Sequence, residues 1–354
     1  MFFKKLIVSF LARKTKKAVD TWSKKSIKNQ DKIFKKLIAI LAKTKYGKDI
    51  GAHKKMRLVD FQKKSPINSY EDLSQYIKKI SRGEKNVLWK GRPAYFAKTS
   101  GTTSGVKFIP LTVEMLENQI KSTKEALLLY AFYKNKFDAI NGKMMFIQGS
   151  PILKKYGQIK TGRLSGIVAN HVPFFLQSNR LPSFKTNSIE NWDKKLDGII
   201  NETIGCDLRL IGGIPPWVIM YFQNILKKTR KGNANIVFPN LSLYVHGGVN
   251  FKPYKNSLKS MIPNADFLEL YPASEGFFAY QDDINDDGLL LLTNHGVFYE
   301  FIESDKFLKG IFQRITLKDV VMGKNYVLII STCSGLWSYN IGDTVMFVNL
   351  NPYK

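Results

Sequence analysis

The sequence predicts an α/β protein in which helices cover mixed sheets. Three observations lead to this fold class. Apolar residues recur at helical spacing through residues 2–90, and beyond residue 95 short apolar runs alternate with longer helical patterns. The last apolar runs follow one another without helices between them, so part of the sheet is expected to be antiparallel or barrel-like. With 44% apolar and 13% aromatic residues, the 354-residue chain can bury a large core, which excludes disorder and a disulfide scaffold.

Residues 1–90 are predicted to form a helical, basic segment packed on a main domain at 91–354, the two together making one structural unit. The first helix is expected to pack through the face shared by Phe3, Ile7, Phe10 and Leu11. A second helix contains Ile33, Leu37, Ile38 and Leu41, with Asn29 or Asp31 as its cap. A third opens at Ser69–Asp72 and turns Leu73, Tyr76, Ile77 and Ile80 to one side.

The main domain shows no linker and no internal repeat. Its candidate strands are Met144–Gln148, Leu208–Ile211, Leu241–Val245, Phe267–Leu270, Leu289–Leu292, Val297–Ile302 and Val327–Ser331. Its candidate helices are Val113–Phe132, Ile189–Thr203 and Trp217–Lys228.

The formal net charge of +27 comes from 55 Lys and Arg against 28 Asp and Glu. Residues 1–90 hold 25 basic and 7 acidic side chains, a net of +18, and Arg supplies only 9 of the 55 cations. The excess has three readings: a nucleic-acid footprint, contact with anionic membrane, or a bias toward Lys. Base reading depends on the Arg fork, so we favour a solvated, Lys-rich surface and expect no specific nucleic acid. Peripheral membrane contact through the first helix stays open.

Two cysteines, Cys206 and Cys333, cannot build a disulfide framework and indicate a reducing compartment. No apolar run approaches the ~20 residues that cross a bilayer, so we expect no transmembrane segment and a cytoplasmic location. The four histidines and two cysteines lack the spacing of zinc ligands. An esterase is excluded because the chain has no Gly-x-Ser-x-Gly elbow.

The first chemical segment, Lys98–Lys107, is rich in Ser, Thr and Gly and ends in a Lys. Such a loop can turn backbone N–H groups and hydroxyls toward phosphate, with Lys107 as the point charge. It is not a Walker A loop, because Val106 and Phe108 stand in the wrong places. A flexible loop without a ligand is the alternative.

Two further segments follow predicted strands. Tyr271–Gly276 comes after Phe267–Leu270, and Glu275 within it could hold a Mg²⁺ that bridges phosphates. Tyr339–Asp343 is a Gly-Asp turn whose Asp343 could accept hydrogen bonds from a ribose. Taken singly, each of the two is an ordinary turn.

In this order the three segments resemble the nucleotide-binding motifs of the GH3 family, the acyl-acid amido synthetases of the acyl-adenylate-forming superfamily. The resemblance spans nearly the whole chain. It also includes Gly83–Lys90, Gly213–Trp217, His246–Val249 and Gly335–Tyr339. It implies the large N-terminal domain of an adenylate-forming enzyme, with an ATP- and acyl-adenylate-binding domain at 91–354.

The resemblance implies a magnesium- and ATP-dependent ligase that makes acyl-AMP from a carboxylic acid and passes the acyl group to an amine or amino acid. Lys107 and Glu275 would be catalytic, Glu275 holding Mg²⁺. The residues implied to bind ATP are Ser100, Gly101, Thr102, Thr103, Ser104, Lys107, Gly247, Gly248, Tyr271, Ser274 and Asp343. The acyl pocket would be lined by His171, Phe174 and Trp217, for which ordinary packing is the alternative.

Family members continue through a hinge into a smaller C-terminal domain. We therefore expect this chain to lack that lid domain, to bind ATP and to turn over poorly. Two alternatives to the amido synthetase remain. One is an acid–coenzyme A ligase of the same superfamily, and the other is a nucleic-acid- or membrane-binding protein that uses the basic N-terminus.

Overall fold

The computed structural model describes residues 2–101, 105–136, 141–171 and 178–354. Five helices open the described chain: α1 (Phe2–Ser23), α2 (Ser26–Leu41), α3 (Lys45–Asp49), α4 (Leu58–Lys64) and α5 (Tyr70–Ser81). The later helices are α6 (Val113–Lys134), α7 (Leu164–Ala169), α8 (Phe184–Asn187), α9 (Trp192–Thr203), α10 (Pro215–Thr229), α11 (Ala234–Val237), α12 (Lys255–Met261) and α13 (Ser304–Leu308). No helix in these ranges is long and apolar enough to cross a membrane.

Helix α5 begins where its sequence predicts. The Ser69 hydroxyl accepts a hydrogen bond from the Asp72 N–H, and the Asp72 carboxylate accepts one from the Ser69 N–H, which closes a capping box. The prediction for the start of α2 was wrong, because the helix begins at Ser26 and Asn29 lies inside it. The Asn29 amide instead donates to the Trp22 carbonyl at 2.8 Å and ties α2 to the end of α1.

The predicted packing face of α1 was wrong except at Leu11, which is half-buried and packs with Val8 and Ala12. Val8, Ala12 and Val19 are buried, and the first two pack with Leu128 and Ala131 of α6. Ile7 and Phe10 instead point to solvent, and the side chain of Phe3 lies outside the described residues. The helix carries apolar residues on two faces, and hydrophobicity alone could not choose between them. The smaller side chains at positions 8 and 12 let the two helix backbones come close together.

The central sheet holds, among the described residues, seven strands in the order β11-β10-β9-β8-β7-β3-β6. Their bounds are β3 (Lys143–Ile147), β6 (Arg180–Leu181), β7 (Leu208–Gly213), β8 (Leu243–Gly247), β9 (Asp266–Pro272), β10 (Phe277–Tyr280) and β11 (Leu290–Leu291). The pairs from β9 to β6 are parallel, whereas β10 and β11 are antiparallel additions. The carboxyl ends of β3, β7, β8 and β9 therefore lie along one edge.

Predicted strands and helices in this region are confirmed with small shifts at their ends. Helix α9 begins at Trp192 rather than Ile189, because the Asn191 side chain accepts a hydrogen bond from the Lys194 N–H and caps it. Helix α10 begins at Pro215, since proline fits the first turn, where its missing N–H costs nothing.

A second sheet contains strands that the sequence pattern did not predict. Its order is β2-β1-β5-β4, from β1 (Tyr95–Gly101), β2 (Gly105–Leu111), β4 (Lys154–Tyr156) and β5 (Ile159–Gly162). The Ser/Thr/Gly segment expected to be a loop is thus largely a β1–β2 hairpin. An aromatic contact stabilises this sheet, because Phe108 of β2 stacks on Tyr156 of β4 with ring centroids 4.0 Å apart.

The strands after residue 296 form an antiparallel sheet, β13-β12-β14-β15, one of the two arrangements expected for them. Their bounds are β12 (Val297–Glu303), β13 (Ile315–Thr316), β14 (Asn325–Thr332) and β15 (Tyr339–Met346). Helix α2 packs on this sheet. The Gln30 amide donates to the Val297 carbonyl and accepts from the Tyr299 N–H, so it bonds to the strand backbone like a short extra strand.

Candidate active site

The site is built where parallel strands end together. Gly247 ends β8 in register with Leu270 near the end of β9, and Gly213 ends β7 in register with Ile147 of β3. Open α/β sheets bind ligands at such carboxyl ends, because the chain leaves the sheet there and opens a crevice. We call the region around these strand ends, together with Lys107, Glu275 and Asp343, the cleft.

Two glycines shape the cleft at the end of β8. A Cβ on Gly247 would lie 2.2 Å from the Leu270 carbonyl oxygen, so no other residue fits without moving backbone. Gly248 has φ +82°, a conformation that side chains rarely adopt. The cleft wall is therefore bare backbone, as required for close approach of a ligand. The preceding His246 is a core residue: it stacks on Phe251 at 3.8 Å, and burial lowers the pKa of its imidazole to about 3.

The segment Tyr271–Gly276 is the tight connection between β9 and β10. The Ala273 N–H donates to the Gly276 carbonyl at 2.7 Å, and the Gln119 amide donates to the Ala273 carbonyl at 2.9 Å. Helix α6 thus contacts and supports the turn through Gln119. The turn places half-buried Ser274 and Glu275 beside the strand ends.

The Gly-Asp segment is a bulge in β15. Ile329 pairs with Asn340 and Val327 with Thr344, which leaves Ile341–Asp343 outside the regular ladder. Gly342 supplies the positive φ of +87° that the bulge requires. Its N–H donates to the Asn340 side-chain oxygen at 2.9 Å, and Asp343 stands exposed beyond it.

The second and third motifs meet directly, although they belong to different sheets. The Tyr271 hydroxyl donates to the Asp343 carboxylate at 2.5 Å. Burial and this hydrogen bond to an anion raise the pKa of Tyr271, so its phenol remains a donor at neutral pH. One side chain therefore aims the Asp343 carboxylate across the junction of the two sheets.

Glu275 is the electrostatically unusual group of the cleft. Burial raises the pKa of its carboxyl, the negative charge of Asp343 raises it further, and the positive charge of Lys107 partly offsets both. Lys107, Glu275 and Asp343 are thus close enough to interact. Two carboxylates with one cation leave an excess of negative charge that a divalent metal would relieve.

The donor set fits Mg²⁺ held together with a nucleotide. Within the described residues, no three His, Cys, Asp or Glu side chains form a metal cluster. Nucleotide-bound Mg²⁺ does not need one, because it takes one or two carboxylates and completes its shell with phosphate and water oxygens. Glu275 supplies one such carboxylate.

Lys107 reaches the cleft from the hairpin. It lies on β2 opposite Thr99, and its ammonium is 5.7 Å from the ring centroid of Tyr70. The Tyr70 hydroxyl also accepts a hydrogen bond from the Phe108 N–H at 3.0 Å, so α5 and β2 fix each other. Ser100 and Gly101 end β1, the Ser100 side chain lies outside the described part, and Thr102, Thr103 and Ser104 lie wholly outside it.

The three residues suggested for the acyl pocket are placed differently. The His171 Nε2 lies 3.0 Å from the Tyr95 hydroxyl at the start of β1. Trp217 is half-buried and packs on Trp192 with ring centroids 5.0 Å apart, inside the core that covers one face of the central sheet. Phe174 lies outside the described residues.

Sequence reasoning missed Tyr70, Tyr95 and Gln119, which hold site residues or their turns in place. None belongs to a recognisable motif, and each lies far along the chain from the group it contacts. The segments Gly83–Lys90 and Gly335–Tyr339 contact each other. The ring centroids of Trp89 and Trp337 lie 5.9 Å apart, and the Trp337 indole donates to the Leu88 carbonyl. These two segments act as structural supports.

Comparison with protein families matches two models. The GH3 family N-terminal domain covers residues 15–197, and the GH3 family central domain covers 290–353. The first match alone spans more than half of the chain.

Two curated plant relatives are similar to the chain. A jasmonoyl–L-amino acid synthetase of Nicotiana attenuata is 22% identical over 90% of this chain and 66% of its own length. An indole-3-acetic acid-amido synthetase of Arabidopsis thaliana is 36% identical over 28% of this chain and 17% of its own length. The chain thus spans less than two thirds of these relatives.

Solved structures share the fold. An acyl acid amido synthetase in complex with 2,4-DB superposes with a TM-score of 0.79 at 16% identity, over 97% of this chain and 69% of that one. A 2-hydroxyisobutyryl-CoA ligase in complex with 2-HIB-AMP and CoA superposes with a TM-score of 0.60 at 11% identity, over 92% and 64%. The predicted fold class is confirmed.

Proposed function

Because the chain belongs to the GH3 family, we propose that it is the part of an acyl-acid amido synthetase that binds ATP and forms the acyl-adenylate. The contact between Tyr271 and Asp343 carries the proposal, since it unites two nucleotide motifs 72 positions apart in the sequence. The names of the relatives, which act on jasmonate or indole-3-acetate, support a carboxylic acid as substrate and an amino acid as acceptor.

The first step joins a carboxylate oxygen to the α-phosphorus of ATP and expels pyrophosphate. It brings an anion to a tetra-anion, so the barrier is largely electrostatic. The ammonium of Lys107 would neutralise charge on the phosphates, and the Ser, Thr and Gly residues that the family resemblance implies at 100–104 would add hydrogen-bond donors. Bound Mg²⁺ would add a Lewis acid there, with Glu275 as its ligand.

The nucleoside would be held by the opposite side of the cleft. Asp343, aimed by Tyr271, would accept hydrogen bonds from the two ribose hydroxyls. The bare backbone at Gly247 and Gly248 leaves room for a flat base and for the acyl-phosphate beside it, while Ser274 offers a hydroxyl donor. In the second step an amine nitrogen attacks the acyl carbon, AMP leaves, and the amine loses a proton.

A first test measures binding of ATP to the chain by calorimetry, with and without Mg²⁺. The second measures carboxylate-dependent exchange of labelled pyrophosphate into ATP over a panel of jasmonate, indole-3-acetate, benzoates and short aliphatic acids. We expect ATP to bind and at least one acid to support exchange. A folded chain that binds no adenine nucleotide would refute the proposal.

The acceptor separates this proposal from a coenzyme A ligase of the same fold. A preformed acyl-adenylate offered to the chain with amino acids or with coenzyme A gives an amide in one case and a thioester in the other. We expect amide formation, and a thioester as the main product would move the chain to the ligase alternative.

A further inference from the structure

The outward side of α1 has an unusual composition. Helical geometry places Leu6, Ile7, Phe10, Arg13, Lys14 and Lys17 on one stripe, which we call the outer face. It lies opposite the buried stripe of Val8, Ala12 and Val19 that packs the helix on the protein. The outer face is therefore not needed to hold α1 in place.

The first half of the outer face is apolar and exposed. Leu6 is 51%, Ile7 46% and Phe10 67% accessible to solvent. Single exposed apolar residues are ordinary, but three adjacent ones on a single helical stripe form a patch that water solvates poorly. Such a patch marks a surface that meets an apolar partner.

The second half of the outer face is cationic. It borders a groove of about 440 Å³ lined by Arg13, Lys16, Lys17, Asp20, Thr21, Lys24, Lys25 and Phe132. The single acidic residue of this lining, Asp20, pairs with Lys16 at 2.5 Å. Of the other four cations, Arg13 and Lys17 follow the apolar patch along the helix, and Lys24 and Lys25 continue the positive charge past its end.

We propose that the outer face of α1 docks the protein onto an anionic lipid surface. Apolar side chains would enter the boundary between headgroups and acyl chains, while Arg13, Lys14 and Lys17 meet lipid phosphates. An interfacial helix needs this combination of an apolar stripe and adjacent cations. The helix lies on the bilayer and does not span it.

A nucleic acid fits the outer face less well. Its phosphates would satisfy the cations, but the exposed Leu6, Ile7 and Phe10 would then face a charged, hydrated backbone. A lipid surface satisfies both halves of the stripe at once. The charge and the apolar patch together favour a membrane.

The experiment is co-sedimentation of the full chain with vesicles of phosphatidylcholine, alone or containing phosphatidylserine, at low and high salt. We expect binding only to the anionic vesicles, and weakening by salt because surface attraction is screened. The variant R13Q/K14Q/K17Q should bind about 100-fold more weakly, since each cation contributes roughly fivefold. The variant L6S/F10S should lose about tenfold or more.

The matched control replaces Leu308 and Phe312 by Ser. These are 83% and 56% exposed, but Leu308 ends α13 and Phe312 follows it, among mixed charges such as Asp305 and Lys306. This variant should sediment like the parent chain. Each variant should melt within a few degrees of the parent, because the replaced side chains are largely exposed. The largest shift is expected for the control, since Phe312 also contacts Phe307 with ring centroids 5.3 Å apart.

Three results would overturn the proposal. One is a folded chain that stays in the supernatant with anionic vesicles at low salt. Another is an equal loss of binding in the L308S/F312S control. The third is binding of duplex DNA that R13Q/K14Q/K17Q abolishes and L6S/F10S leaves intact, which would assign the face to nucleic acid.

Discussion

The cleft and the outer face of α1 use charge in opposite ways. In the cleft, the charges of Lys107 and Asp343 act with opposite sign on the half-buried carboxyl of Glu275. On the outer face, Arg13, Lys14 and Lys17 carry one sign and are exposed to water. A single charge interacts strongly with its neighbours where solvent is excluded. Exposed charges interact weakly one by one and act mainly through their summed potential. The net charge of +27 therefore describes the surface and not the chemistry.

The largest expected effects lie in the cleft. Lys107→Ala and Asp343→Ala should each slow acid-dependent ATP–pyrophosphate exchange about 100-fold or more, because each removes a charged group proposed to contact the nucleotide. Lys98→Ala is the matched control, since Lys98 is exposed and pairs with Phe108 on the other face of the same hairpin. Near-normal exchange in the two cleft variants would refute these site assignments.

A substitution that adds a side chain at the end of β8 should have the next largest effect, on the stability of the fold. Gly247→Ala forces a Cβ into the Leu270 carbonyl, so the free energy of unfolding should fall by about 3 kcal/mol in urea titration. Gly232→Ala, at an exposed position with no atom within 4 Å of the new Cβ, is the control. Equal stability of both variants would show that this strand end relaxes freely.

The link between the two motifs can be weakened without removing either. Tyr271→Phe deletes the hydroxyl that donates to Asp343, and binding of ATP measured by calorimetry should weaken about tenfold, the cost of one hydrogen bond to a charged group. Unchanged affinity would mean that Asp343 is aimed by other contacts.

The ionised Glu275 carboxylate should lower the stability of the unliganded protein, although it is proposed to hold Mg²⁺ in the reaction. Its raised pKa means that the ionised carboxylate is less favourable in the folded chain than in the unfolded one. This cost is present above the ordinary glutamate value of about 4.3 and disappears as pH falls below it. Glu275→Gln should therefore melt at a higher temperature than the parent at pH 7 without ligand, with the difference vanishing near pH 4. A lower melting temperature at pH 7 would contradict the assigned burial cost.

The smallest effect is expected for the outer face in the chemical assay. R13Q/K14Q/K17Q should change exchange less than twofold and the free energy of unfolding by less than about 0.5 kcal/mol, because surface substitutions are usually neutral. A large loss of exchange would show that the outer face of α1 and the cleft are coupled.

Prediction from sequence succeeded where a pattern was local. The Ser69 cap, the buried side of α5 and the parallel strands β3, β7, β8 and β9 are set by neighbouring residues, so periodicity and capping identify them. The short strands β6 and β10 of the same sheet were not predicted. It failed for the β1–β2 hairpin, whose Ser, Thr and Gly residues are typical of a loop. Pairing over seven positions and aromatic contacts such as Phe108 on Tyr156 make it a sheet.

The candidate site divides in the same way. Lys107, Glu275 and Asp343 were identifiable because the order of three short motifs resembles a known family. The support that Tyr70 and Gln119 provide was not identifiable, since neither residue stands in a motif and the groups they hold are far away in sequence. Their roles exist only once α5 and α6 pack against the strands.

The sequence by itself determined the fold class, the main elements of the central sheet and the residues from which a nucleotide site could be made. These follow from short-range periodicity, turn chemistry and motif order, which a linear chain already contains. Only the tertiary structure decided that the Tyr271 hydroxyl meets Asp343 across two sheets, and which of two apolar faces of α1 is buried. Both outcomes depend on long-range packing, where the best fit of distant surfaces decides which groups lose water and which keep it.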